Sequence, residues 1–380
     1  MTNELPANRA EGVTIMQTGL LRRLVVCAAA VVSLAGIASC GGGSDDNMPT
    51  ATRFKMSIVV SDGAVSAPHT DPNLKNGWGV AFNPNGFVWV ADNGTQTATL
   101  YDGNGVVQSL VVSIPPSASG PAKPTGIVFN KGPDLTLSRN GKSGVAAFVF
   151  AGEGGSITAW APAVDMTHAF TAVDSSASGA IYKGLAIATT STGAHRLYAT
   201  DFHNNKVDVF DGTFTKIAVP GGFRDAQIPA GFAPFGIQTI GSKIVVTYAK
   251  QDGDAEDDVP GAGLGFVDVF DIDGNLTQRF AANGPLNAPW GIAQAPGNFG
   301  TFSNDILIGN FGDGTINAFD PNTGAFVGAL TDTGGAPLVQ HGLWGIAFGN
   351  NLNAQPSNTL FFAAGPNDEA NGVYGRIDMQ

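Results

Sequence analysis

The chain has 380 residues, 31 acidic and 19 basic side chains, and a net charge of −12. That balance excludes the basic surface nucleic acids require and favours cations or basic partners. With 43% apolar residues and 52 glycines, the chain can build a large core and turn sharply many times.

The amino end comes first. Arg22 and Arg23 precede an apolar run, Leu24 to Leu34, too short to span a bilayer and typical of an export signal. The following Ile37-Ala-Ser-Cys40 and the polar Gly41 to Asp46 resemble the lipobox of bacterial lipoproteins. That resemblance implies cleavage before Cys40, lipidation of its thiol and acylation of the new amino group. More than one acyl chain holds a protein stably to a membrane. Residues 1–39 are thus expected to be a signal, with Met16 as a second possible start. Residues 40–52 form a flexible tether reaching about 20 Å, and residues 53–380 a single domain. Cys27 leaves with the signal and Cys40 carries lipid, so no disulfide is expected in the fold. Gly41, standing where an aspartate would mark inner-membrane retention, points to an outer-membrane lipoprotein facing the periplasm or the surface. A plain secretory signal would instead release the protein.

The rest of the chain repeats itself. A residue or two, a glycine and a brief apolar run recur at Asn76–Phe82, Lys123–Phe129, Tyr182–Ile187, Ala233–Ile237, Ala288–Ala293 and Leu343–Phe348. The shared glycines are Gly79, Gly126, Gly184, Gly236, Gly291 and Gly345, spaced 47 to 58 residues apart. A period near fifty made of strands and turns predicts an all-β, six-bladed β-propeller of four-stranded antiparallel blades. In the first blade, strand a is Gly79–Phe82, strand b Phe87–Ala91, strand c Thr97–Tyr101 and strand d lies near Val106–Ile114. Strand b recurs at 147–151, 196–200, 243–248, 305–309 and 359–363. Strand c recurs at 156–160, 206–210, 266–270, 315–319 and 373–377. The aspartates of Asp211-Gly, Asp273-Gly and Asp320-Pro-Asn-Thr-Gly324 read as turn formers. The last copy stops at strand c, so Arg53–Val60 is expected to supply its outer strand. The amino-terminal strand then closes the ring against the last blade and leaves no large open edge.

The recurring pattern "P-x-G-I-A, strand, A-D, strand, F-D-G" resembles NHL-type six-bladed propellers. Thr200–Asp211, Tyr248–Asp252, Gly309–Phe319 and Ala364–Gly372 are similar to segments of a bacterial family of secreted propellers, some members of which carry a PEP-CTERM sorting tail. The resemblance covers residues 53–378 and implies the fold, with no activity attached.

In a propeller the a strands line the channel, and the loops into strand a and between strands b and c share one face. On that face fall Asp92, Asn93, Glu153, Lys183, Asp201, His203, Asn310, Asp313 and Asp368, the ligand-binding candidates, together with the acidic run Asp252 to Asp258 and with Asn367 and Glu369 beside Asp368. Trp78, Phe235, Trp290 and Trp344 stand just before the shared glycines, near the mouth. Oxygen ligands around an aromatic rim suit a hard cation, Ca²⁺ or another divalent ion, and also a sugar or peptide. Each group also has a structural role to weigh. Asp92 and Asp201, ending strand b, can hydrogen-bond neighbouring backbone, and the tryptophans can pack between blades. Asp252, Asp254 and Glu256 suggest a calcium loop, yet the run lacks the glycine and distal glutamate of an EF-hand and also reads as a solvated acidic loop. Lys183 stands where other blades carry an aromatic or small residue, either to meet an anion or to pair with Glu153 or Asp201.

Catalytic signals are sparse. There is no Gly-x-Ser-x-Gly elbow, and His69, His168, His195, His203 and His341 show no zinc spacing. His203 beside Asp201 is the one candidate base, and no catalytic residue is assigned. The expected function is a monomeric, membrane-anchored scaffold that binds an envelope protein or small molecule. The rival is a metal-dependent hydrolase of the lactonase type, which requires three or more of the Glu153, Asn93, Asn310 and Asp201 side-chain oxygens to converge within about 2.0–2.6 Å of one point. A purely structural envelope protein is the third reading.

Overall fold

The computed structural model describes residues 51–380, so the expected export signal, Cys40 and most of the expected tether lie outside the described residues. Six antiparallel four-stranded sheets follow one another along the chain. Their inner strands are Gly77–Phe82, Pro124–Phe129, Tyr182–Thr189, Phe232–Ile240, Pro289–Gln294 and Leu343–Phe348. Each inner strand also touches those of the blades on either side, closing a ring. The sixth blade takes Phe54–Ser61 as its outer strand, paired antiparallel with Val373–Met379 from Phe54 opposite Met379 to Ser61 opposite Val373. A short strand, His69–Thr70, then lies parallel along its outer edge.

Alternation along the strands explains the cohesion. In strand Val88–Asp92, Trp89 and Ala91 pack toward the second blade, while Val88 and Val90 pack toward the sixth. Every blade is buried on both faces, so the strands read as nearly continuous apolar runs rather than alternating ones. Six apolar clusters result, one in each gap between blades. A seventh, aromatic, lies on the axis.

The repeated glycines mark the closest approach between blades. A Cβ on Gly79 would lie 2.5 Å from the Thr125 carbonyl oxygen, one on Gly236 2.0 Å from that of Trp290, and one on Gly345 2.4 Å from that of Trp78. Threonines add hydrogen bonds across the same gaps: Thr125 Oγ1 donates to Tyr182 O at 2.8 Å and Thr200 Oγ1 to Phe235 O at 2.7 Å.

The structure refines three sequence expectations. The outer strand of the first blade shrinks to Val112–Ser113, because the exposed Val106 and Val107 before it make only an isolated bridge, Val107 opposite Tyr101. The second blade carries an unforeseen hairpin, Thr136–Arg139 with Lys142–Val145, turning through Asn140 and Gly141 at φ 53° and 76°, as a two-residue Asn-Gly turn requires. Asp211 and Asp320 hold their turns by accepting backbone N–H groups two to four residues on. In the fourth blade Asp271 does this instead, and Asp273 pairs with Arg196 at 2.6 Å.

Candidate functional site at the channel mouth

The inner strands share a local irregularity. In all six blades the a–b register slips at the glycine phrase, as between Gly77 and Val80 or between Pro289 and Gly291. Such bulges re-aim side chains. Here Trp78, Phe235, Trp290 and Trp344 gather into one cluster with Phe202 and Phe311. Trp78 stacks on Trp344 at 3.4 Å between centroids, Phe311 stacks on its other face at 3.9 Å, and Trp290 meets both tryptophans edge-on at 5.7 Å. Trp78 and Trp344 are 1% exposed. The aromatics therefore plug the channel instead of rimming it.

The third blade carries Lys183 at the equivalent position. Its side chain is 2% exposed, and its ammonium lies 5.4 Å from the Trp78 ring centre and 5.9 Å from that of Phe202. It donates to Glu153 Oε1 at 2.5 Å and Asp257 Oδ1 at 3.0 Å, not to Asp201. Burial pulls the ammonium down, but those two carboxylates more than reverse it and hold it above its ordinary value. Burial likewise pushes Glu153 up, and the Lys183 charge together with the hydrogen bonds from Lys183 and Asn93 outweighs it, leaving the carboxyl below its usual range. Asn93 Nδ2 donates to Glu153 Oε2 at 2.9 Å, and Asn76 Nδ2 to Glu369 Oε2 at 2.6 Å. Trp344 Nε1 donates to Asn76 Oδ1 at 3.1 Å, tying the polar layer to the plug beneath.

Two more carboxylates complete the mouth. Burial and the Glu153 charge push Glu369 above its ordinary value. Burial drives Asp258 up to about 7, the Lys183 charge pulls it back, and Glu369 and Asp257 add to the rise. Its Oδ2 is buried without a hydrogen-bond partner. Four carboxylates thus surround one buried ammonium. Beside them, between the second and third blades, opens a pocket of about 490 Å³ lined by Lys123, Glu153, His203, Glu256 and Asp257.

The remaining candidates are placed as follows. Asp92 is fully buried and accepts from Thr97 and Thr99, each at 3.2 Å, and burial pushes it well above the usual range. Asp201 accepts from Ile181 N–H at 3.2 Å and Asn204 Nδ2 at 2.9 Å. Asn310 accepts from Asn287 N–H at 3.1 Å and donates to Pro285 O at 2.7 Å, while Asp313 caps its own loop through Thr315. His203 Nδ1 lies 3.3 Å from Ala255 O, away from Asp201. Of the four proposed hydrolase ligands only Asn93 and Glu153 meet. Asp201 and Asn310 spend their oxygens within their own blades, so the four do not converge.

Asp252 accepts from Glu256 N–H at 3.0 Å, and Asp254 and Glu256 are exposed. Among the described residues no three His, Cys, Asp or Glu side chains are grouped as metal ligands. Asp368 is exposed, within three successive left-handed residues, Asn367, Asp368 and Glu369 at φ 57°, 50° and 63°. It is Glu369 that this turn brings to the mouth. Asn76 was missed as a site residue, while Asp257, Asp258 and Glu369 were placed on this face without being named as binding residues. Asn76 had one usable signal, since it precedes the first glycine phrase.

No protein-family model matches the chain. It is 33% identical over 335 residues to uncharacterized protein R648 of Acanthamoeba polyphaga mimivirus, covering 86% of this chain and 80% of that protein. Uncharacterized protein L690 of the same virus is also 33% identical, over 332 residues and 85% of each. The chain belongs to the family of these two mimivirus proteins. Among solved structures, a structural-genomics protein of unknown function from Bacteroides thetaiotaomicron aligns with a TM-score of 0.51 at 13% identity, covering 86% of this chain and 76% of that one. The apo form of the soluble aldose sugar dehydrogenase from Escherichia coli aligns with a TM-score of 0.50 at 11% identity, covering 86% and 99%. At such identities the likeness is one of fold.

Proposed function

We propose that this chain is a non-catalytic binding propeller, held at a bacterial outer membrane through a lipidated Cys40, whose b–c loop face takes up a cationic ligand such as an amine or a basic protein segment. The carrying observation is the imbalance at the mouth. Glu153, Asp257, Asp258 and Glu369 face the single buried ammonium of Lys183, and one Asp258 oxygen has no partner. A second cation arriving there would meet Glu153, Asp258 and Glu369 already desolvated, where charge-assisted hydrogen bonds are strongest. The channel beneath is filled by tryptophans, so the ligand rests on the face and does not thread the ring. The scaffold reading is preferred to the hydrolase because Asp201 and Asn310 are committed to their own loops.

Titration with spermidine and with an octalysine peptide, followed calorimetrically, tests the ligand class. Both should bind saturably, an octaglutamate peptide should not, and Glu256→Gln with Asp257→Asn should weaken binding about tenfold or more. Equal binding of the two peptides would remove the reading. Envelope attachment is tested apart from ligand choice: Cys40→Ser should move the protein from the membrane to the soluble fraction.

A further inference from the structure

The channel has a second mouth, opposite the charged one. There the inner strands of the first four blades end around a pocket of about 500 Å³, within the size range of small-molecule sites. Its walls include Val80, Phe82, Ile127, Phe129 and Ile187. Val80, Ile127 and Gln238 also line a void of about 40 Å³ at the glycine ring, where the channel pinches shut. From Gly79 to Phe82 at about 3.3 Å per residue, the pocket is roughly 10 Å deep.

Six polar side chains interrupt the apolar part of the lining: Lys131, Thr189, His195, Gln238, Thr239 and Ser242. Gln238 lies within, and Lys131 and His195 stand at the lip. The imidazole of His195 is held in place. Asp134 accepts the His195 backbone N–H at 2.7 Å through Oδ2 and meets ring Nδ1 at 2.7 Å through Oδ1. Gly132 lies so close that a Cβ there would sit 2.0 Å from His195 Cε1. Asp134 on Nδ1 orients the ring, and the imidazolium form that pairs with this carboxylate presents Nε2–H as a donor to an anionic ligand. Among the described residues Nε2 has no hydrogen-bond partner and Lys131 has no ion pair. Neither carboxylate nor any other acidic side chain lines the pocket, in a chain whose net charge is −12. Both oxygens of nearby Asp134 are already engaged by His195.

We propose that this half-channel binds a small amphiphile with an apolar body and an anionic head, a medium-chain carboxylate, its body against the aliphatic walls and its head between Lys131 Nζ and His195 Nε2. Desolvated apolar walls supply affinity without direction. The two nitrogens at the lip orient the molecule head-outward, as the few polar groups of such pockets do. The site is independent of the charged mouth, from which the tryptophan plug separates it.

The test is a titration of the purified full chain with octanoate carrying ¹³C at its carboxyl carbon, read by NMR, with octanol and octylammonium as competitors. One saturable site should appear, the carboxyl resonance should shift, and octanol should bind at least about tenfold more weakly, as the loss of a charge-assisted hydrogen bond implies. Octylammonium should not compete. Lys131→Ala, at an exposed position, should weaken octanoate about tenfold and leave octanol unchanged. Ala347→Phe, which fills the pocket from the sixth blade, should abolish both. His195→Gln should mimic Lys131→Ala; should it fail to fold, the Lys131 variant alone decides. Octanol binding as tightly as octanoate, an unaltered affinity in Lys131→Ala, or no saturable octanoate signal at millimolar concentration would each overturn the proposal.

Discussion

Replacing Lys183 by methionine keeps most of the side chain's length and removes its charge. The ammonium lies almost wholly inside, 2.5 Å from Glu153 and 3.0 Å from Asp257. The Asp257 side chain is 74% exposed, so water takes over its share and that pair contributes little. Glu153 is different: 14% exposed, it would keep only Asn93 at 2.9 Å and Lys123 at 4.0 Å. Orphaning one partner of a buried pair costs about 3–5 kcal/mol. In a chain this large that lowers Tm by about 2 °C per kcal/mol, or about 6–10 °C.

The sign with pH follows from the shifts. Lys183 is raised above 10.5, so its contribution is in force below that pH and is lost as pH climbs through the folded value. Glu153 is lowered below 4.5, so its contribution is in force above that pH and is lost as pH falls. Neither loss falls between pH 6 and 9, so the gap between wild type and Lys183→Met in urea denaturation should change there only through Asp258. It should widen above about pH 7, because that carboxyl titrates at about 7 and loses the Lys183 charge that pulls it down. Adding Glu153→Gln removes the stranded charge, and Lys183→Met/Glu153→Gln should recover much of the loss. A single-variant loss below about 1 kcal/mol, or a double variant no better than the single one, would refute a cross-blade latch.

Three further outcomes follow from the same structure. Gly236→Ala should destabilise by about 1–3 kcal/mol or more by overpacking against the Trp290 carbonyl, whereas Gly253→Ala, with open space around it, should stay within about 0.5 kcal/mol; thermal melts of both check this. Asp258→Asn should leave stability unchanged near pH 4 and raise it at pH 8. The folded carboxyl titrates at about 7 against an ordinary 3.8, so its ionisation penalty appears only as pH rises between those values, at about 1.4 kcal/mol per unit. Phe54→Ala should cost about 3–5 kcal/mol in chemical denaturation, because the closing strand anchors this ring 4.9 Å from Phe299 and 6.0 Å from Phe302 of the fifth blade.

The propeller was legible because its cause is local and repeated. Each blade writes a glycine where two backbones nearly touch and an apolar run where a strand is buried on both faces. Period and strand order therefore stand in the chain itself, and with them the joining of Arg53–Val60 to the last blade. Most strand ends moved by a residue or two, and the outer strand of the first blade lost six at its start. The hairpin at Thr136–Val145 was missed because it interrupts the repeat.

The sites were far less legible. Lys183 was conspicuous as a lysine in an aromatic's place, and Glu153 was one of two partners considered for it. That Asp257, Asp258 and Glu369 join them depends on loops 74 to 186 residues away folding over one axis. The tryptophans were visible as a set, but their turn into a plug needed the bulge in each inner strand. His195 and Asp134 lie 61 residues apart, and Asp134 reaches the histidine from the base of the inserted hairpin. Sequence therefore determined the repeating unit, since neighbours along the chain dictate strands and turns. Tertiary structure alone decided which charges meet, because ring closure brings together side chains from different blades whose separation in sequence carries no record of their distance in space.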